Sequence, residues 1–357
     1  MMGARAIAND PRAEVEQARA EMLAALVDEL NQAGVPYCLL SGYHGYPQAE
    51  DSDVDFMVRP EDAGSVARWL QAVTRRCGGL LVQAIQHETG AWYFALAKQV
   101  RGGVAYLHPD CTTDYRRNGR LWLRSEELLA RRRRLTDVYL PAVEDEFEYY
   151  LLKKVLKQQI DAAQLQRLRR LYLSDPAECC ARMRQHWPAE SVSGIVSALL
   201  SNNVTRMRWH LPVLLRELQA SAPLEGMPGR AVQAVREWWR WMRRALHPTG
   251  MAITVCGGGQ KQREEFAAGL QGNLRPAFRR TQVVDSQGPL AVVRDWVAKA
   301  RSTLVIRKLA ATRGVDLGWG GVAFLLDSSG EPDVESATRV VLEWMAKRVA
   351  RPQRCEG

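Results

Sequence analysis

The chain reads as a multi-domain α/β protein, with an α/β domain over residues 1–142, a helical middle over 143–248 and a second α/β domain over 249–357. Three observations predict this. At 357 residues the chain is long for a single domain. Strand-length apolar runs alternate with helix-period segments in its first part, but only helix-period segments run from Val143 to Leu246. A new order of strand, glycine loop, helix and further strands then begins at Met251, the pattern of a parallel sheet with crossover helices.

Residues 13–33 carry Val15, Ala18, Met22, Leu26 and Leu30 at helical spacing, and Gly34-Val35-Pro36 stops that helix. A strand "YCLLSG" follows, then a loop, then a strand "DVDFMV" from Asp53 to Val58. Pro60-Glu61-Asp62 opens the next helix. The runs "LLVQAIQ", "AWYFALAKQ" and "GGVAYLHPD" read as three more strands, the last ending at Pro109-Asp110. In the middle region "EDEFEYYLLKKVLKQQI" and "AAQLQRLRRLYL" have helical periodicity, and Pro176, Pro188, Pro212, Pro223 and Pro228 punctuate it. "LHPTG", residues 246–250, reads as its exit linker. Beyond it, "MAITVC", "TQVVD", "STLVIRK" and "GVAFLLD" read as strands, and "DVESATRVVLEWMAKRVA" as the closing helix.

Composition narrows the classes of function. No run of about 18 apolar residues is present, so no transmembrane helix is expected. The first 30 residues lack the order of a signal peptide, and a cytoplasmic protein is expected. Seven cysteines without a C-x-x-C pair suit reduced thiols, and six scattered histidines argue against structural zinc. The net charge of +9 suits an anionic partner. Without an RNA-recognition or zinc-finger signature, nucleic acid is not the expected one. The arginine runs "ARRRRL" and "REWWRWMRRAL" read as solvated helix faces, and Trp238, Trp239 and Trp241 as packing at a domain junction.

The chemistry concentrates in "LLSGYHGYPQAEDSDVDFMV". Residues two apart on a strand share a face, so Asp53 and Asp55 project together while Val54 and Phe56 face the core. Adjacent carboxylates stay ionised only beside a compensating cation, and magnesium combines carboxylate with phosphate oxygens. Gly42, one strand earlier, lets the backbone approach a triphosphate. Asp110 is the candidate third acid, with Asp114 in reserve and His108 on the face of Asp110 to orient it. Lys153, Lys154 and Lys157 lie on one helix, and 153 and 157 share a face that reads as solvated, with reach to a triphosphate or acidic acceptor as the alternative.

Residues 20–140 resemble the nucleotidyltransferase superfamily, including minimal nucleotidyltransferases and aminoglycoside adenylyltransferases. The family's signature is an apolar strand, a Gly-Gly or Gly-Ser turn, about ten residues, and Asp-x-Asp on the next strand. This resemblance implies Mg2+-dependent transfer of a nucleoside monophosphate from a nucleoside triphosphate (NTP) to an acceptor hydroxyl. Asp53, Asp55 and Asp110 are then the catalytic and metal-binding set, with Ser41, Gly42 and Tyr43 binding the nucleotide. Tyr43 departs from the family, whose residue there is Ser or Gly; its ring would block or stack on the substrate.

Residues 250–350 resemble thymidylate kinase-like P-loop domains, through the order of elements and "FLLDSSGEPDVESATRV". A working loop needs G-x-x-x-x-G-K-[ST], whereas "CGGGQKQREEF" lacks the last glycine and the hydroxyl. The Asp of the family's Asp-Arg pair is missing before Arg307. A kinase fold without phosphoryl transfer is implied, with Lys261, Arg263 or Arg307 left to hold an anion. The combination resembles fused bacterial proteins associated with surface-polysaccharide or other secondary biosynthesis, so a small-molecule or glycan-precursor acceptor is expected. The alternative is a catalytically decayed nucleotide-binding scaffold.

Overall fold

The structure, a computed structural model, describes residues 10–48, 52–101, 103–117, 120–220, 227–246, 249–278, 280–284, 297, 301, 303–309, 321–326 and 333–350. The chain is mixed α/β. Its first sheet has five strands: β1 (Tyr37–Leu39), β2 (Asp53–Val58), β3 (Leu80–Glu88), β4 (Ala91–Val100) and β5 (Gly103–Thr112), in the order β1-β2-β5-β4-β3. Only β2 and β5 run parallel to each other; the remaining pairs are antiparallel. The last strand runs on through Pro109 and Asp110 to Thr112 rather than ending there. Pro109 has no N–H to donate, and the β4 ladder skips it, while the parallel ladder places it opposite Val54.

One face of this sheet is covered by α1 (Pro11–Gln32) and α2 (Val66–Cys77), which enclose Leu39, Val54, Phe56, Leu96 and Leu107. Asp10 caps α1 by accepting from the Arg12 N–H, with Pro11 at the first helical position. The closing of α2 is equally local: Gly78 takes the left-handed conformation at φ +67°, which costs glycine little.

Two small hairpins precede the helical region: β6 (Tyr115–Arg117) with β7 (Arg120–Leu123), and β8 (Arg133–Leu135) with β9 (Val138–Leu140). Between them lies α3 (Ser125–Ala130). Helices α4 (Val143–Lys157), α5 (Ala162–Ser174), α6 (Pro176–Arg184), α7 (Ala189–Leu200) and α8 (Val204–Ala220) then share one apolar core. That core also takes in Cys38, Leu40 and Met57 from the second face of the sheet. Pro176 and Pro188 stand at helix starts as expected, but Pro212 lies inside α8. Leu211 and Leu214, buried on either side of it, hold the helix together across the hydrogen bond a proline forfeits. Pro223 lies outside the described residues, and "LHPTG" does so in part.

After α9 (Met227–Leu246) comes the second sheet: β10 (Met251–Gly257), β11 (Arg280–Val284), β12 (Thr303–Leu309) and β13 (Gly321–Leu326). Its order is β11-β12-β10-β13 and every described pairing is parallel. Two helices, α10 (Gln260–Leu274) and α11 (Val334–Ala350), pack against it. Their core is continuous with the first sheet through Val82, Ala95, Ala97 and Tyr106. The Tyr106 hydroxyl donates to the Asn273 carbonyl at 2.7 Å, and Gln83 Nε2 donates to the Thr249 carbonyl at 3.1 Å. The second face of the first sheet is thus divided between the helical region at β1 and β2 and the C-terminal unit at β3, β4 and β5. All six described cysteines are unpaired, and no described helix is long and apolar enough to cross a membrane.

Candidate active site

The strip between those two covered patches holds the carboxylates. Strand alternation sends Val54 and Phe56 into the α1–α2 core and leaves Asp53 and Asp55 on the opposite face, beside Met57. The parallel register sets Asp55 opposite Asp110 and Asp53 opposite His108, and the next strand places Tyr93 opposite Asp110. Three of the residues expected to form the site therefore lie on adjacent strands.

Asp55 is the best-held of them. One oxygen, Oδ2, accepts from Lys153 Nζ at 2.5 Å and from Ser41 Oγ at 2.8 Å. Its side chain is 15% exposed and that of Lys153 is 18%, so solvent screens the pair weakly. Burial pushes the Asp55 carboxyl up, but Lys153 and Ser41 pull it further down, and the net is below the usual range. Burial likewise works against the Lys153 ammonium, and Asp55 reverses it to a net rise. Lys153 is therefore part of the site and not on a solvated face. Lys154, buried beside Tyr150 with its ammonium 4.8 Å from the ring centre, is pushed down to about 8 by burial and by Lys153. Lys157 alone of the three is exposed.

Asp110 has the opposite character. Burial first, and the neighbouring Asp55 charge second, raise its carboxyl to about 7. His87 Nε2 lies 3.8 Å from its Oδ1. His108 does not orient Asp110 as expected; its Nδ1 lies 3.3 Å from Asp53 Oδ1, because the parallel register puts it across from that residue. Its ring is sandwiched between Tyr93 and Tyr106, at centroid distances of 5.6 and 5.8 Å. Asp53 projects outward, its side chain 79% exposed. The reserve acid Asp114 is committed to structure, accepting from the Ser125 N–H and hydroxyl at the start of α3.

The turn before β2 explains its glycine. Gly42 has φ +78°, and a Cβ there would stand 2.3 Å from the Asp53 carbonyl oxygen and 2.9 Å from Val54 Cα. The Leu40 and Ser41 N–H groups both donate to the Asp55 carbonyl, at 2.7 and 3.3 Å, so the turn is tied to the strand that carries the acids. Tyr43 is buried, and its hydroxyl donates to Glu146 of α4. Its ring thus engages the helical region, with the Arg167 guanidinium 5.8 Å from its centre.

Glu146 belongs to an ionic cluster that the arginine runs did not suggest. Arg167 and Arg133 reach its carboxylate at 3.0 and 3.4 Å, and Arg131 and Arg182 reach Asp145 at 2.6 and 3.1 Å. Arg131 and Arg133 of "ARRRRL" are therefore ion-pair partners of buried carboxylates and not a solvated face. Arg167 also donates to the Leu40 carbonyl at 2.8 Å, fastening α5 to the strand that leads into Gly42.

Lys261 is not brought to these residues. It stands at the start of α10 on the second sheet, 88% exposed and 3.7 Å from Glu265. The glycine loop before it satisfies itself: Gln262 Oε1 accepts from the Gly259 N–H at 2.9 Å, and Arg263 donates to the Gly257 and Gly258 carbonyls at 3.0 and 2.6 Å. Those contacts leave Arg263 engaged with its own loop. Gly257, at φ +75°, would place a Cβ 2.4 Å from the Leu326 carbonyl, so this glycine serves strand packing.

Among the described residues, no three His, Cys, Asp or Glu side chains are already gathered into a metal-binding group. Asp53 faces outward and the Lys153 ammonium supplies the cationic charge at Asp55. No protein-family model matches the chain, and neither a curated protein nor a solved structure matches it.

Proposed function

We propose that the chain is a magnesium-dependent nucleotidyltransferase that moves a nucleoside monophosphate from an NTP to a hydroxyl of a small-molecule or glycan-precursor acceptor. The observation that supports this most is the register of Asp55 against Asp110 on parallel strands, beside a glycine turn that no other residue fits. Asp53, Asp55 and Asp110 are the residues that would hold magnesium. Their donor chemistry suits it: all supply hard oxygens, and the Asp110 carboxyl is raised by burial first and the Asp55 charge second, both of which a divalent cation would offset. Bound magnesium supplies charge that compensates the carboxylates and polarises phosphate.

Each remaining role falls to the chain's own groups. Ser41 fixes the orientation of the Asp55 carboxylate, and Gly42 lets the turn pack directly against the Asp53 carbonyl and Val54. Lys153, already at the carboxylate, is positioned to exchange that partner for a triphosphate oxygen. Asp110, whose carboxyl burial and the Asp55 charge raise to about 7, would be held ionised by a bound cation and so stand ready to accept a hydrogen bond from the acceptor hydroxyl. The C-terminal unit, read as kinase-like, carries no phosphoryl transfer in this proposal, because its glycine loop is closed by Gln262 and Arg263.

The test is thermal-shift titration with each of the four ribonucleoside triphosphates, with and without magnesium, beside Asp53→Asn and Asp55→Asn. Ligand that binds only the folded state raises its stability by mass action. A magnesium-dependent shift lost in both variants is expected. A shift indifferent to magnesium and to both aspartates would replace the enzyme with a nucleotide-binding scaffold.

A further inference from the structure

Helix α9 is docked with its polar side inward. Gln233 and Arg240 are buried, and Glu237 accepts from the Thr89 N–H at 2.8 Å and from the Thr89 hydroxyl in the β3–β4 turn. Arg240 reaches the Gln86 carbonyl at 3.4 Å and Glu237 at 2.7 Å. The apolar side faces outward: Val232, Val235, Trp238, Trp239, Met242 and Leu246 are between 40% and 66% exposed. At 100° per residue these six occupy one continuous arc. Trp241 lies at its margin, with the Arg240 and Arg244 guanidiniums 5.0 and 5.6 Å from its ring centre. Packing was the expected role of these tryptophans; the structure exposes them, because polar bonds to the β3–β4 turn hold the helix instead.

We infer that this face of α9 is a membrane-surface element, seating the protein on a bilayer that carries anionic headgroups. Tryptophan mixed with aliphatic side chains suits the boundary between acyl chains and headgroups. Arg236 and Arg243 are exposed beside the arc, while the helix's single carboxylate, Glu237, is committed to Thr89 and Arg240. The helix's own flanks are therefore cationic, the complement of an anionic leaflet, with Glu88 of β3 lying on the inward side near Glu237 and Arg240. A second copy of the chain is a poor occupant, since a two-fold contact across α9 would bring like-charged flanks together. Nucleic acid suits it less as well, because Val235, Met242 and Leu246 offer bases nothing to stack on.

The experiment is co-sedimentation of the full chain with vesicles of phosphatidylcholine alone or mixed with phosphatidylglycerol. Binding to the mixed vesicles, weakening as salt rises, is expected. Trp238→Ser/Trp239→Ser changes exposed positions only and should retain the thermal unfolding profile while binding at least about tenfold more weakly. Arg236→Ala/Arg243→Ala should lose the preference for the anionic lipid. The inference is overturned if neither vesicle sediments the protein or if the tryptophan variant binds as the parent does. It is equally overturned if the same substitutions abolish self-association or oligonucleotide binding while vesicles are ignored.

Discussion

Replacing Lys153 with methionine keeps the length of the side chain and removes the charge that Asp55 depends on. At 2.5 Å and an effective dielectric near 20, the attraction is about 6 to 7 kcal/mol. Desolvation of two groups that are each more than four-fifths buried offsets most of it, leaving a net coupling of about 2 to 3 kcal/mol. Lys153→Met should therefore destabilise by about 3 kcal/mol, because it leaves Asp55 beside Asp110 with the Ser41 hydroxyl as its side-chain donor and Lys157 as a weaker cationic neighbour. Asp55→Asn should cost about 2 kcal/mol, and the double variant less than the sum by the coupling. The sign follows from the two shifts: the lowered Asp55 contributes above its unfolded value and loses that contribution as pH falls through its folded one. The raised Lys153 contributes below its unfolded value and loses that as pH rises through its folded one. The difference between parent and Lys153→Met should accordingly be flat across neutral pH and shrink toward both extremes. Urea unfolding of the four proteins measures it. Additivity of the two substitutions within about 0.5 kcal/mol would refute the pairing.

Three further outcomes are expected. Gly42→Ala should cost at least about 2 kcal/mol in unfolding experiments and abolish any nucleotide-induced thermal shift, since its Cβ meets the Asp53 carbonyl. Asp110, raised to about 7 from an unfolded value near 3.9, binds its proton more tightly when folded. Stability should then fall as pH rises from about 4 to about 7, and Asp110→Asn should flatten that slope; parallel curves for parent and variant would show that the carboxyl is not desolvated. In the C-terminal unit, Lys261→Ala should leave thermal stability unchanged while Arg263→Ala lowers it by about 1 kcal/mol, and neither should alter a nucleotide-induced shift.

The parts of this protein that were legible in its sequence are those set by short-range periodicity. The two-residue spacing of Asp53 and Asp55 states which face they share, and the apolar neighbours Val54 and Phe56 state which side is core. Gly42 was legible as a turn glycine between an apolar strand and Asp-x-Asp, but the contact that excludes a side chain there, the Asp53 carbonyl, was not. Lys153 was not, because its partner is 98 residues away and its own helix shows only a cationic run. A carboxylate pair needing a cation, and a lysine on a helix otherwise buried, were the signals available. The pairing of His108 with Asp53 rather than Asp110 depends on strand register, which no local pattern specifies. The exposed tryptophans of α9 fail the usual rule for a different reason: Gln233, Glu237 and Arg240 anchor the helix, so the amphipathic pattern is present but points the opposite way.

The shared core behind β3, β4 and β5 bears on what each half of the chain is free to become. Val82, Ala95, Ala97 and Tyr106 are shielded by α10 and α11, so deleting residues 249–357 would uncover the roof of the first sheet and the wall beside Asp110. What the rest of the molecule requires of the C-terminal unit is the back of its helices, not the mouth of its glycine loop. A substitution at the exposed Lys261 leaves the shared core untouched, whereas a change at Phe266, Leu270 or Val341 is felt across both sheets. A unit retained as a lid on its neighbour's sheet can lose its own chemistry without loosening the protein that contains it.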